Sequence, residues 1–230
     1  HSQPSEFLPT DRRWETLHRC IVDSSLPLNI RVAGALLLLF ALGPTALTTM
    51  SVEQVVEHEG RVELIVGRTP IHLPDSLADL VLQQRKVAEE SMSGWLFPGQ
   101  HPGRHLNPGS LAARTKQCLG IGVRPSRNAA LAHLAKELPV PVLADYLGLA
   151  HTTASQWAAL VERHAALAAR CEVELLAAEL DAAGSGYDIV VNASASSLQG
   201  GAVPVSAAVL RPGSLALDMM YGAAAEPFLA

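Results

Sequence analysis

Arg124 and Arg127 stand three residues apart in VRPSR, and Thr152, Thr153, Ser155 and Gln156 cluster in HTTASQ. Guanidinium groups neutralise phosphates, while hydroxyl and amide side chains on the open side of a helix hydrogen-bond base edges. This first set is read as a candidate surface for duplex DNA. A second set closes the chain: Asn192 and Ser194 in NAS, then Met219 and Tyr221 in DMMY. Asn192 and Tyr221 fall at the ends of short apolar runs, and ligands of open parallel sheets sit beyond the carboxyl ends of the strands. Met219 offers a polarisable apolar face suited to a flat ring. His133 and His151 lack a partner at metal-ligand spacing, so no metal site is expected and both are read as surface or core-edge groups.

These residues need elements to hold them. Thr10 or Asp11 is expected to cap a helix over 10–23 in which Trp14, Leu17 and Ile21 recur at helical spacing. The run VAGALLLLFAL at 32–42 reads as a buried helix ending at Gly43-Pro44, since proline lacks the donor of the next turn. Its eleven residues fall short of the roughly 20 that cross a bilayer. Residues 61–67 and 69–74 alternate around Gly67-Arg68 and predict a β-hairpin, followed by a helix from Asp75 to about Glu90. The Gly- and Pro-rich stretch 91–107 predicts an ordered loop pinned by Trp95 and Phe97. Two more helices come next, and then VLADYLGLAHTTASQWAAL, two helical patterns joined at Gly148 in the manner of a helix-turn-helix, with the second placing Thr152, Thr153, Ser155 and Gln156 on its accessible side. Trp14, Trp95 and Trp157 are read as core or loop anchors. Beyond Ala158 the texture changes: CEVELL, YDIVVNAS and GSLALDMMY look like three buried strands of a parallel sheet, with PVSAAVL connecting the last two.

The 230 residues are 49% hydrophobic and 17% charged, which excludes a disordered chain and allows one large domain or two small ones. Net charge is −5, and 3 Lys plus Arg against 8 Asp plus Glu beyond Trp157 account for all of it, so neither half has the cationic surplus of a tight DNA binder. Cys20, Cys118 and Cys171 are scattered, with no CxxC pair, and fit a reducing, cytoplasmic setting. The chain opens on His1 with no signal-like stretch after it and is read as part of a longer reading frame.

Three separated blocks, LPLNIRVAGALLLLFALGPTALTTMSVEQV, GWLFPGQHPGRHL and VRPSRNAALAHLAKELPVPVLADYLGLAHTTASQW, make residues 8–157 resemble the tyrosine-recombinase-like integrase proteins of actinobacteria. The resemblance implies a mainly α recombinase-core domain over 1–157 with a small β-hairpin. It also implies an arginine after the first buried helix, an H-x-x-R box, a histidine after L-G, and a tyrosine about ten residues on that attacks the DNA phosphate. Here GPTALTT holds no arginine, and the box reads Arg124-Pro125-Ser126-Arg127. Leu149 follows L-G with His151 two residues on, and the nucleophile's place falls to Trp157 or Ala158. An indole has no oxygen to attack with, so no catalytic residue is assigned and strand cleavage is not expected.

ALVERHAALAARCEVELL and YDIVVNASASSLQGGAVPVSAAVLRPGSLALDMMYGAAAEPFL resemble the later part of the cofactor domain of shikimate dehydrogenases, over about 158–229. The resemblance implies a truncated α/β, partial Rossmann-like segment over 158–230. Asn192, Ser194 and Met219 would lie along an NADP cofactor and Tyr221 would reach substrate. The glycine-rich phosphate loop that should precede this segment is missing, with only a lone G-x-G in CLGIGVRPSR, and so are the ribose-phosphate motif and the substrate domain's catalytic Lys and Asp. The fold expected is therefore mixed. Three functions compete: a catalytically impaired recombinase-like protein with weak DNA binding, a fragment of an NADP-dependent shikimate dehydrogenase, and a chimeric chain without activity of its own. An incomplete sheet also predicts self-association through an exposed edge.

Overall fold

A computed structural model describes residues 6–58, 60–101, 103–171, 184–192 and 207–218. The chain divides into two compact units, 1–177 and 178–230. The first is mainly helical, with one small antiparallel sheet.

Helix α1 (Thr10–Val22) turns Leu17 and Cys20 inward, but its cap differs from expectation. Pro9 occupies the N-cap and neither Thr10 nor Asp11 caps through its side chain, because proline before the first turn presets the entry backbone without needing a side-chain acceptor. Helix α2 (Leu28–Phe40) is buried on nearly every face, as its unbroken apolar run requires. It stops earlier than Gly43-Pro44. Ala41 takes a left-handed conformation (φ 57°), its N–H bonds the Leu37 carbonyl at 3.0 Å, and Leu42 N–H bonds Leu36 at 3.4 Å, a six-to-one closure of the last turn. Pro44 instead opens a five-residue helix α3 (Pro44–Thr48) at a position that needs no donor.

The expected two-stranded hairpin is a three-stranded antiparallel sheet. A strand the sequence reading left out, β1 (Val55–His58), pairs with β2 (Arg61–Leu64), which pairs with β3 (Ile71–His72). Val55, Leu64 and Ile71 lie in register and are all buried, so the sheet's inner face joins the core beside α4 (Asp75–Glu90), which contributes Leu77, Leu80 and Val81. The buried Gln84 donates to the Leu96 carbonyl at 2.8 Å and fixes the 91–107 loop. Phe97 is fully buried, and Trp95 donates from Nε1 to the Gly103 carbonyl at 3.1 Å, so both aromatics anchor that loop as expected. Helices α5 (Pro108–Leu119), α6 (Val123–Glu137), α7 (Val140–Leu147) and α8 (His151–Cys171) complete the unit. Among the described residues, no helix is long and apolar enough to cross a membrane.

The second unit contains β4 (Tyr187–Asn192) and β5 (Leu210–Asp218), parallel and in register from Ile189↔Leu215 to Asn192↔Asp218. The strand expected at CEVELL does not begin at Cys171, which closes α8; its other residues lie outside those described. Nor are the two observed strands buried: Tyr187, Ile189, Val191, Leu215 and Leu217 are 45–60% exposed.

Candidate functional site

Helices α7 and α8 meet at Gly148, whose φ of 62° is the left-handed turn that glycine adopts without a Cβ penalty. Leu149 N–H then bonds the Ala144 carbonyl at 2.9 Å and closes the turn, giving the two-helix arrangement expected around this glycine. The β2–β3 connection packs directly against it. Arg68 N–H donates to the Asp145 carbonyl at 2.9 Å, Gly67 lies so close to that carbonyl that a Cβ would overlap it, and the Arg68 guanidinium stands 3.9 Å from the Asp145 carboxylate. Gly67, Arg68, Asp145, Gly148 and His151 border a cavity of about 440 Å³. Gly67-Arg68 reads in the sequence only as a turn, so Arg68 is the cation that sequence reasoning missed here.

On α8, Thr152 and Gln156 are exposed and Ser155 is half-exposed, with its hydroxyl 3.4 Å from His151 Nδ1. Thr153 is half-exposed like Ser155 and flanks the buried Ala154. Arg124 is exposed at the start of α6. Arg127 is turned inward: its Nε donates to the Ala41 carbonyl at 3.1 Å, and burial lowers its pKa. Arg124 and Arg127 therefore do not form one cationic pair facing solvent.

Arg127 is one of four arginines that clasp a helix end. Arg13 reaches the Leu38 carbonyl in the last turn of α2 at 3.4 Å, Arg31 donates to the Cys20 and Ile21 carbonyls at the end of α1, and Arg12 bonds the Gly120 carbonyl beyond α5 at 2.6 Å. Each places a cation at the negative end of a helix dipole, where unpaired carbonyls gather. Arg13 is thereby buried and Arg31 and Arg127 are partly buried, whereas Arg12 stays exposed.

Trp157 packs edge-on against Phe7, ring centroids 6.3 Å apart and planes at 84°. Residues 6–8 are held in place by Leu8 N–H to the Pro125 carbonyl at 3.1 Å and by Asn128 Nδ2 to the Glu6 carbonyl at 2.9 Å. Trp157 is thus a packing anchor, as its type suggests, whereas Trp14 is 44% exposed and sits under the Arg13 guanidinium at 4.6 Å. Tyr146 is half-buried against Phe40, and burial raises its pKa, the opposite of what an activated phenolate requires. Among the described residues, no group of three His, Cys, Asp or Glu side chains could hold a metal.

His133 meets Trp14 edge-on at 5.9 Å. Burial first, then the Arg13 guanidinium, lower its pKa from the ordinary value of 6.5; Glu137 opposes them and Lys136 adds to them. The unfolded chain therefore takes up a proton at a higher pH than the folded one. The stability this difference confers is present above about pH 6.5 and is lost as pH falls through the lowered folded value. His133→Gln is expected to flatten the acid side of a plot of urea midpoint against pH, and an unchanged slope below about pH 6.5 would contradict the assignment.

In the second unit Asn192 and Asp218 end adjacent parallel strands side by side, at the carboxyl edge where a ligand would be sought. Ser194, Met219 and Tyr221 lie outside the described residues. Arg211 is the single Lys or Arg of 178–230, and it is ion-paired with Asp188.

No protein-family model matches the chain. Two relatives named shikimate dehydrogenase (NADP(+)) match it over 83 residues: that of Acidovorax sp. (strain JS42) at 57% identity, covering 36% of this chain and 29% of the relative, and that of Methylibium petroleiphilum at 64%, covering 36% and 28%. A third, from Verminephrobacter eiseniae, is 40% identical over 136 residues, covering 53% of this chain and 47% of the relative. The chain thus spans less than half the length of each of these three. Among solved structures, a XerH site-specific recombinase bound to palindromic difH substrate superposes with a TM-score of 0.51 at 13% identity, over 74% of this chain and 54% of that one. XerA recombinase gives 0.50 at 11% identity, over 75% and 68%. At such identity the likeness is one of fold. The chain is a mosaic: a mainly helical recombinase-like fold combined with a sequence similar to part of shikimate dehydrogenase.

Proposed function

We propose that the chain is a catalytically impaired, recombinase-like module that binds duplex DNA weakly and does not cleave it. The observation that carries this reading is Trp157, which stands near where a phenolic nucleophile is expected and is wedged against Phe7. Arg127, spent on the Ala41 carbonyl, and Tyr146, with its raised pKa, support the loss of chemistry. DNA contact falls to Arg124, Thr152, Thr153, Ser155 and Gln156, with Arg127 reduced to a supporting part. Up to Trp157, 14 Lys plus Arg (17 less 3) are balanced by 14 Asp plus Glu (22 less 8), and the lack of a cationic surplus implies weak affinity that falls steeply with salt. We place the junction of the two ancestries near 157–158, inside α8, because a continuous helix can be spliced without breaking its hydrogen-bond ladder. Scattered cysteines support a cytoplasmic setting.

The test is a gel shift at low ionic strength, paired with a nicked substrate that traps covalent adducts. A weak, salt-sensitive shift without adduct is expected; absence of any shift would remove DNA binding, and a detergent-resistant adduct would remove the claim of impairment. Trp157→Tyr alone is expected to leave the adduct absent, since residues 43–49 supply no arginine to hold the phosphate.

The 57–64% identities and the Asn192–Asp218 edge favour a second reading, a fragment of an NADP-dependent dehydrogenase. A truncated, partial Rossmann-like sheet is part of that reading. Against it, the dinucleotide's phosphates would find no unpaired cation in 178–230, since Arg211 is committed to Asp188. A flat calorimetric titration with NADP would leave the chimeric reading for this segment, a remnant without activity of its own.

A further inference from the structure

The charge balance up to Trp157 averages over uneven stretches. Between Glu90 and Glu137 the sequence carries Arg104, Arg114, Lys116, Arg124, Arg127 and Lys136 and no Asp or Glu, which leaves 11 of the 17 Lys plus Arg to face all 22 Asp plus Glu elsewhere. The fold keeps this segregation in space. Helix α5 lies in the middle of the run, with α2, α3 and α6 packed on it, and these four helices contain one carboxylate, Glu137 at the far end of α6. Other carboxylates stand at the borders: Glu89 and Glu90 close α4 ahead of the 91–107 loop, and Glu53 lies two residues from Ser51, whose backbone bridges Trp95.

Three cations of the run are free. Arg104, Lys116 and Arg124 are exposed, and none has an ion pair or side-chain hydrogen bond among the described residues. Arg104 sits in a tight hairpin in which Pro98 bridges His105, its own N–H bonds the His101 carbonyl at 3.1 Å, and its carbonyl accepts from Gly99 N–H at 2.8 Å. Its backbone is therefore fixed, and engaging a ligand costs side-chain freedom alone. The exposed positions of α5 are Gly109, Ser110, Ala113, Lys116 and Gln117. No large apolar side chain among them offers an anchor to an apolar partner, whereas a polyanion meets cations without opposing carboxylates. The helix is roughly 18 Å long, the rise of about five base pairs. We propose that the face formed by the 98–105 hairpin, α5 and the start of α6 is a sequence-independent docking surface for the phosphates of duplex DNA, with Arg104 and Lys116 acting beside Arg124. This rests on the DNA-binding reading and moves most of the affinity from the hydroxyl and amide groups of α8 to this face.

The experiment follows the anisotropy of a labelled duplex of arbitrary sequence with the full chain, between about 50 and 200 mM salt. Three phosphate contacts should lower the parent's affinity about 40-fold over that range. Arg104→Gln and Lys116→Gln are each expected to reduce this loss to about 12-fold, because one released counterion is removed from the salt slope. Lys86→Gln is the control: Lys86 is exposed on α4 with Glu89 and Glu90 one turn away, and the slope should stay at the parent's value although net charge changes equally. A parent that leaves the duplex unbound at low salt would remove the DNA reading and this proposal with it. A parent that binds with a slope unmoved by Arg104→Gln and Lys116→Gln, or moved as much by Lys86→Gln, would overturn the proposal alone. So would tighter binding of single-stranded RNA or of phosphatidylserine vesicles than of the duplex.

Discussion

Gly67→Ala is expected to lower the melting midpoint of the helical unit by roughly 5–10 °C, through an overpacking cost of about 2–3 kcal/mol. The added methyl would overlap the Asp145 carbonyl and come within 2.8 Å of Gly148 N. Both obstacles are backbone atoms, so no side-chain rotation relieves them. To make room the β2–β3 connection would have to lift away, breaking the 2.9 Å bond from Arg68 N–H to Asp145 and opening the cavity beside α8. Gly60→Ala provides the contrast, because nothing lies within 4 Å of its Cβ position and only its φ of 76° is strained. Its cost should stay near 1 kcal/mol. A thermal melt followed by far-ultraviolet circular dichroism distinguishes the two. Equal midpoints would mean that the turn does not press on α7.

Leu36→Ala is expected to cost about 2–5 kcal/mol, read as a lower urea midpoint with an unchanged slope. Leu36 is 0% exposed on a helix whose neighbouring positions 32–38 are all buried, so the vacated volume has rigid walls and little means of collapse. The same truncation at the half-exposed Val87 should stay within about 0.5 kcal/mol, since water already touches that side chain. A Leu36 variant as stable as the parent would show that α2 is not the centre of the unit.

Much of the helical unit is legible in local sequence. The apolar run of α2, the Asp75–Glu90 helix and the Gly148 turn each follow from short-range rules: periodicity, proline's missing donor and glycine's freedom at positive φ. Less legible is whatever depends on partners distant in the chain. β1 has only four residues and gains its strand character by pairing with β2. Pro9 displaces Thr10 and Asp11 as the cap. Arg127 looks like a phosphate ligand in VRPSR, yet α2 ends 86 residues away with an unpaired carbonyl that takes its Nε. In the second unit the apolar texture of YDIVVN and GSLALD correctly marks strands over the described residues, but burial is a property of the layers around a strand, and alternation alone cannot report whether those layers are present.

The clasps that hold the first unit span unusual lengths of chain: Arg12 reaches Gly120 across 108 positions, Asn128 reaches Glu6 across 122, and Arg127 reaches Ala41 across 86. Closing such loops is entropically slow work, rewarded only after the apolar helices have collapsed and brought the ends within reach. Contacts made that late are absent at the folding barrier, so they govern departure from the native state more than arrival at it. Weakening one would leave the refolding rate nearly untouched and shorten the lifetime of the folded chain.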